Sequence, residues 1–367
     1  MIFLSTMTGG LMPTRRGTDG PSSDGSALVM EIARIVAASG GVVERAEALL
    51  EPLRRVVPFD ASFIGLLHPD RREHLSLVQN GYDDRTRTYL GSTEVMAEVE
   101  LLGLQRERPP MRLCDSPVPP QEMRSWAEYL APAGFGEGIG AGLFTADGRY
   151  LGAVGLHTQS PVPVTDAARD LLGTLTPLIA HAVDPLRSVS VVAHAVVDAI
   201  AGVVVTHAGS ALPLPGLPGH PHLVAGSAVL TAAAEQRVDR RVYATFLAPA
   251  ATRPDPGGFL RVTAMAAPPD PPCQFAAVVM VSSPGDLHGL TRRELEVLGL
   301  LVEGWPNQAM AIELGITERT VAAHMEHILG KLFVTSRTAA AIAALRLGLF
   351  VPRLLHGGAL SDDDAEQ

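Results

Sequence analysis

At 367 residues the chain is two to three times the length of an ordinary domain, so two or three compact units are expected, and 47% hydrophobic content is ample for their cores. No apolar run is long enough to cross a bilayer, and the mildly apolar residues 1–12 lack the basic flank of a signal peptide, so a cytoplasmic protein with no membrane partner is expected. The net charge of −10 speaks against a broadly basic nucleic-acid surface, and the single lysine, Lys331, excludes a GxxxxGK[ST] phosphate loop, a Schiff base elsewhere and the lysine of a phosphoryl-accepting receiver.

Residues 1–26 end in a Gly-, Ser-, Thr- and Pro-rich stretch and read as a disordered leader. From Ala27 to Val56 apolar residues recur at helical spacing and predict two helices parted by Gly40-Gly41. Pro58-Phe59-Asp60 opens a strand over 61–67, and a second runs from His74 to Gln79. Residues 84–107 and 122–130 read as helical. Strands at 139–144 and 150–156 flank Asp147-Gly148, strong hairpin chemistry, and Thr165 caps a long helix ending near Val183.

The Pro58-Phe59-Asp60-Ala61-Ser62 entry and the Gly138 to His157 hairpin followed by a helix resemble a GAF domain. The resemblance implies a pocket between sheet and flanking helices that takes a small-molecule effector. Phe63, Trp126, Tyr129, Phe135 and His157 are the candidate ligand-binding residues, with ordinary core packing as the competing reading for each. Cys114 and Cys273 lie far apart in unlike surroundings, which fits two buried thiols rather than a disulfide or a thiolate metal site.

Beyond residue 186 the order is a helix from Val191 to Ala201, a strand from Gly202 to His207, a Pro/Gly-rich loop, a helix from Ala225 to Gln236 and three strand-like runs (241–247, 259–266 and 275–282). That order is compatible with a small, degenerate PAS-like α+β domain and linker over 187–285.

From Leu290 the local signals agree. Thr291 and Glu294 form an S/T-x-x-E capping box, and Leu290 and Leu295 have hydrophobic-staple spacing. The first helix ends at Gly304, and a second starts near Asn307. Gly315-Ile316-Thr317 makes a three-residue turn, with Thr317 as cap of a third helix. Val321, Met325, Ile328 and Leu332 form its core stripe, which leaves Arg319, Thr320, Ala323, Glu326 and His327 on the opposite face. Ser336 caps an alanine-rich fourth helix.

Leu-Thr-x-Arg-Glu at 290–294, Gly304, Asn307, Ile312, Leu314, Ile316-Thr317, Thr320-Val321, His324, Ile328, Lys331-Leu332, Val334, Arg337 and Gly348-Leu349 together resemble the LuxR/NarL-type helix-turn-helix. The resemblance implies a DNA-binding domain over 286–352, with its third helix in the major groove of double-stranded DNA and its fourth pairing two copies of the chain on an inverted repeat. Arg319 and Thr320 are the candidates for base-edge or phosphate contacts, with Ala323, Glu326 and His327 beside them, and Lys331 and Arg337 for phosphates.

The sequence departs from the family at Ala322 and Glu326, where lysine or another polar residue and a second basic residue are usual. Between Asp286 and Phe350 six basic residues (Arg292, Arg293, Arg319, Lys331, Arg337, Arg346) face seven acids (Asp286, Glu294, Glu296, Glu303, Glu313, Glu318, Glu326). Weak monomer affinity and a shallow salt dependence follow. The same acidity supports an alternative: an interaction or dimerisation module, impaired for DNA, that sequesters a partner.

Gly136-x-Gly138-x-x-Ala141 mimics a dinucleotide fingerprint, but a hairpin follows it where that fingerprint needs a helix. His220-x-His222 and His324-x-x-His327 lack a third clustered ligand, so no metal is expected. With no nucleophile elbow, no HExxH helix and no cofactor motif, the expectation is a multidomain α+β regulator rather than an enzyme, without a cofactor: GAF-like sensor 27–186, PAS-like middle 187–285, helix-turn-helix 286–352 and an acidic disordered tail 353–367.

Overall fold

The computed structural model describes residues 23–187, 196, 198–236, 242–250, 258–267 and 274–356. Two antiparallel five-stranded sheets follow one another along the chain, and four helices close it. No helix among the described residues is long and apolar enough to cross a membrane.

The first unit begins with α1 (Ser23–Ala37), α2 (Val42–Ala48) and α3 (Leu50–Val56). Three helices thus stand where two were expected. The first starts at Ser23, inside the stretch read as leader, because Leu28, Ile32 and Val36 form a buried stripe that holds the whole first turn. Strands β1 (Ala61–Leu67) and β2 (His74–Asn80) are followed by α4 (Asp84–Leu90) and α5 (Val95–Leu101). A short edge strand β3 (Met111–Arg112), a π-helical turn (Ser125–Leu130) and the hairpin β4 (Glu137–Phe144) and β5 (Tyr150–Thr158) come next. The closing helix α6 (Asp166–Val183) is capped by Thr165, whose hydroxyl accepts the Ala168 N–H at 3.2 Å.

The sheet order is β2-β1-β5-β4-β3. Side chains alternate between its faces with period two. Ile64, Leu66, Ile139, Ala141, Leu143, Val154 and Leu156 pack under α1, α2, α3 and α6. Phe63 faces the other way, into a core with Tyr82, Tyr89, Trp126, Leu130 and Phe135. On that second face every position of β4 from 138 to 142 is glycine, and Gly140 pairs with Gly155 of β5.

The second sheet is built from β6 (Ala199–Thr206), β7 (Ala211–Pro213), β8 (Tyr243–Pro249), β9 (Phe259–Ala266) and β10 (Phe275–Ser282), with α7 (Ala228–Glu235) between β7 and β8. Its order, β7-β6-β10-β9-β8, repeats that of the first. Ala199 to Ala201 are strand, where a helix was expected, because they pair with Val281 and Ser282 of β10; most of the remaining expected helix lies outside the described residues. The two units meet where Leu186 packs with Val204, Leu214, Val278 and Met280, and where Thr206 Oγ1 donates to Asp70 Oδ1 at 3.0 Å.

Four helices follow: α8 (Arg292–Val302), α9 (Asn307–Glu313), α10 (Glu318–Lys331) and α11 (Arg337–Leu347). They share one apolar core with the other face of the second sheet, in which Phe246, Leu247, Ala248 and Val262 meet Leu295, Phe350 and Val351. The chain after α11 is the joint. The Leu247 N–H donates to Phe350 O at 2.9 Å on the edge of β8, and the Val351 N–H donates to Leu295 O at 3.1 Å. Residues 353–355, expected in a disordered tail, form a 3-10 turn that buries Leu355. Cys114 is exposed rather than buried, and Cys273 lies outside the described residues.

Candidate functional site

Two places carry candidate chemistry, the outer face of α10 and a cavity in the first unit. The helical unit is organised around Glu294. Its Oε2 accepts the Thr291 N–H at 2.7 Å and the Thr291 hydroxyl at 2.9 Å, closing the capping box of α8. The Lys331 ammonium, from the far end of α10, donates to both oxygens of the same carboxylate at 2.7 and 2.9 Å. Burial pushes the Glu294 pKa up, but the bonds from Lys331 and Thr291 outweigh it and hold the carboxyl below its ordinary value. The only lysine thus ties α10 to α8 as an ion pair.

The Thr317 hydroxyl accepts the Thr320 N–H at 3.1 Å and caps α10, while Val321 and Ile328 are fully buried. Gly315 makes the preceding turn at φ +63°, where a side chain would be strained. With that stripe inward, Arg319, Ala322, Ala323, Glu326 and His327 are exposed on the outer face and Thr320 is half-buried among them. Arg319 has no carboxylate partner among the described residues, whereas Arg292 and Arg293 both pair with Glu296, at 3.1 and 2.9 Å. Arg337 is exposed at the start of α11 and donates to Trp305 O at 2.8 Å, which leaves its charge unneutralised. Of the seven sequence-predicted DNA-contact residues, the structure leaves Arg319, Ala323, Glu326 and His327 exposed on one face of α10, with His327 Nδ1 4.0 Å from Glu294. Thr320 is half-buried with its hydroxyl bonded to that of Thr317, Arg337 is exposed at the start of α11, and Lys331 is committed to Glu294. That second use of Lys331 was not legible in the sequence, since its partner is 37 positions away.

The cavity lies against the glycine-bearing face of the first sheet and measures about 140 Å³. Of the five residues predicted to line it, Phe63, Trp126 and His157 do. Tyr129 instead stacks on Tyr89 with ring centroids 4.1 Å apart, and Phe135 sits behind the lining against Tyr82 and His157. Sequence reasoning missed Gly138, Gly140 and Gly155 of the floor, and Glu98, Met111, Arg112 and Met123 of the walls. The available signal was the period-two recurrence of glycine through β4. Side chains at these positions would have filled the space.

The π-helical turn carries Trp126 and Leu130 inward and closes with the Ala131 N–H donating to Trp126 O at 2.9 Å. Arg112 at the rim is fully engaged: it donates to Asp115 at 2.7 and 2.9 Å and to Val164 O at 2.8 Å, and its pKa is raised mainly by the bond to Asp115. Glu98 Oε1 accepts the Ser125 N–H at 2.9 Å. The His157 Nδ1 lies 2.7 Å from the Tyr82 hydroxyl, and burial lowers the imidazole pKa to about 4. His157 is therefore a neutral ring at pH 7.

Residues 288–344 match the family model described as bacterial regulatory proteins, luxR family. This segment is a LuxR-family helix-turn-helix domain. The chain is 42% identical over 78 residues to the transcriptional regulatory protein LnrK of Bacillus subtilis (strain 168), an alignment that covers 21% of this chain and 36% of that protein. It is 44% identical over 57 residues to the nitrate/nitrite response regulator protein NarL of Escherichia coli (strain K12), covering 16% of this chain and 26% of NarL. The chain thus spans about a third or less of the length of these curated relatives. Among solved structures, a GAF domain from a phosphoenolpyruvate-protein phosphotransferase of Coxiella burnetii is similar to 46% of this chain over 99% of its own length, at 15% identity and a TM-score of 0.37.

Proposed function

We propose that the chain is a transcription regulator that binds an inverted-repeat operator as a homodimer and answers to a small molecule held in its first unit. The observation that carries the DNA half is the state of α10: one side is sealed into the core at Val321 and Ile328, the cap is formed, and the opposite side is open. A helix in that state presents its N-terminal turn to base edges and its flanks to phosphates. Arg319 and Thr320 take the first role in this reading, and Ala323, Glu326 and His327 border the groove. Arg337 approaches a phosphate from the start of α11. Lys331 contributes indirectly, by fixing the angle of α10.

The dimer half rests on α11, where Ile342 is 47% exposed on the side turned away from the core. A large apolar residue left open on an alanine-rich helix suits close approach of a second copy. The proposed division is a sensor over 27–186, a middle domain over 187–285 and a DNA-binding domain over 286–352, with residues 353–356 packed onto the last.

Gel shift of the full chain against duplex from its own upstream region, at 50 and 200 mM salt, tests the reading: a discrete, salt-weakened complex is expected. The second reading, a module that sequesters a partner, is favoured by Glu326 on the outer face, by Glu318 exposed at the start of α10 and by the pairing of Lys331. Absence of any complex at 50 mM salt would select it.

A further inference from the structure

The cavity can be read further than "a small molecule", and this inference rests on the sensor reading above. Its floor is backbone. A Cβ placed on Gly138 would meet His157 Cδ2 at 2.6 Å, so that glycine makes room for the imidazole, whereas a Cβ on Gly140 would find only ordinary contacts at 3.7 and 3.8 Å. Gly140 therefore leaves room for about one further atom before Leu104 and Val154 are met. Phe63 and Trp126 line the cavity with it among aliphatic side chains such as Leu104 and Leu130, so the space has a flat floor, apolar walls and two aromatic faces. At roughly 10–15 Å³ for each water-sized sphere, 140 Å³ holds about ten of them, the bulk of one substituted ring.

The polar end follows from tautomer arithmetic. Tyr82 is buried, and His157 Nδ1 is the one acceptor its hydroxyl has among the described residues. A buried O–H left without an acceptor is costly, so Tyr82 donates and Nδ1 accepts. A neutral imidazole then carries its proton on Nε2. That nitrogen has no hydrogen-bond partner among the described residues, and His157 lines the cavity. It is a donor waiting for an acceptor. An anion is disfavoured, because the Arg112 charge is already answered by Asp115 and the Glu98 carboxylate shares the wall.

We propose that the cavity takes a neutral, flat, ring-bearing molecule of about ten non-hydrogen atoms whose hydrogen-bond acceptor receives the Nε2–H of His157, with Tyr82 as the positioning residue that sets the tautomer.

The test uses the full chain and three probes of one size: acetophenone, which carries a neutral acceptor; cumene, which has none; and benzoate, which is charged. Binding is read by calorimetry and by ¹⁵N NMR of labelled histidine. Expected are a His157 resonance pattern of the Nε2–H tautomer, a shift of that Nε2 on adding acetophenone, and affinity about three- to tenfold above cumene, as one neutral hydrogen bond gives. Tyr82→Phe should cut acetophenone affinity by a similar factor and leave cumene unchanged, a split that general loosening of the unit would not produce. Gly140→Val should abolish both.

Benzoate binding as tightly as acetophenone, an Nδ1–H tautomer, or an unchanged acetophenone affinity in Tyr82→Phe would each overturn the assignment. In those cases the sensor reading stands if Gly140→Val still removes binding of a probe. If no probe binds the native chain, this assignment falls. If in addition native mass spectrometry finds no co-purified molecule that Gly140→Val loses, the sensor reading falls with it.

Discussion

Replacing Glu326 by lysine is the sharpest probe of the α10 face. Glu326 is exposed on the same side as Ala322 and Ala323, two turns beyond Arg319, and has no ion-pair partner among the described residues. The change shifts the local charge by two. Removing repulsion between unit charges about 8 Å apart in water is worth about 0.5 kcal/mol, a factor of about two in affinity. A new phosphate contact adds counterion release, which steepens log K against log salt by about 0.9 for each chain on the duplex. Between 50 and 200 mM salt, that is about 3.5-fold extra gain at the low end for one copy and about twelvefold for two. The measurement is fluorescence polarisation with labelled upstream duplex across that salt range, with Glu235→Lys as a control that makes the same charge change on α7. An increment near 1.8 would report two copies bound, and one near 0.9 a single copy. A slope and affinity equal to the control's would show that this side of α10 does not face phosphates, and the interface proposal would fail.

Other outcomes follow from the packing. Gly299→Ala should destabilise the C-terminal unit, because a Cβ there would stand 1.9 Å from Val351 O where the chain crosses α8; a cost of about 1–3 kcal/mol is expected in urea unfolding. Arg261 donates to Pro284 O at 2.6 and 3.1 Å and to Leu347 O at 2.6 Å, so Arg261→Ala should loosen α11 from the second sheet, seen as faster hydrogen exchange in residues 337–350 with the first unit unaffected. Acid should weaken the first unit early. His74 and His157 are both lowered by burial to about 4 from an ordinary 6.5, so between those values the unfolded chain binds protons that the folded one refuses. Stability then falls as pH drops from about 6.5 toward 4, by up to about 1.4 kcal/mol per pH unit for each ring. Thermal melts at pH 7 and pH 5 of the native chain and of His74→Gln, which should flatten the difference, check it.

The strands and caps that sequence made legible share a property: each rests on residues next to one another in the chain. The Thr291–Glu294 box, the Thr165, Thr317 and Ser336 caps and the hairpin around Asp147-Gly148 are of that kind. β1 and β2 were legible from β-type composition between turn signals. What stayed hidden needed partners from afar. The edge strands β3 and β7 are two and three residues long, and β7 ends in Pro213, tolerable on an edge but no strand signal. The Lys331–Glu294 pair and the contact of residues 349–356 with β8 and α8 are set by tertiary packing alone. Within the cavity, aromatic side chains drew attention in the sequence, but the space is defined as much by what β4 and β5 lack as by Phe63, Trp126 and His157.

How a molecule in the first unit would reach the DNA is constrained by which joints are stiff. α10 is clamped to α8 by the Lys331–Glu294 pair and by the buried Val321 and Ile328, so bending it alone would break a part-buried ion pair, leave the buried Glu294 carboxylate without its cation and open the core. The joint between the helical unit and the second sheet is different in kind. It runs through the carbonyls of Leu347 and Phe350, held by Arg261 on β9 and by the edge of β8, plus non-directional apolar contacts. The second sheet in turn meets the first unit through Leu186 and the Thr206–Asp70 bond. A displacement passed along these joints moves the four helices together. In a dimer paired by α11 it would change the separation of the two α10 faces rather than the shape of either. Operator affinity would then respond to the effector through half-site spacing, and a single half-site would bind equally well with the cavity full or empty.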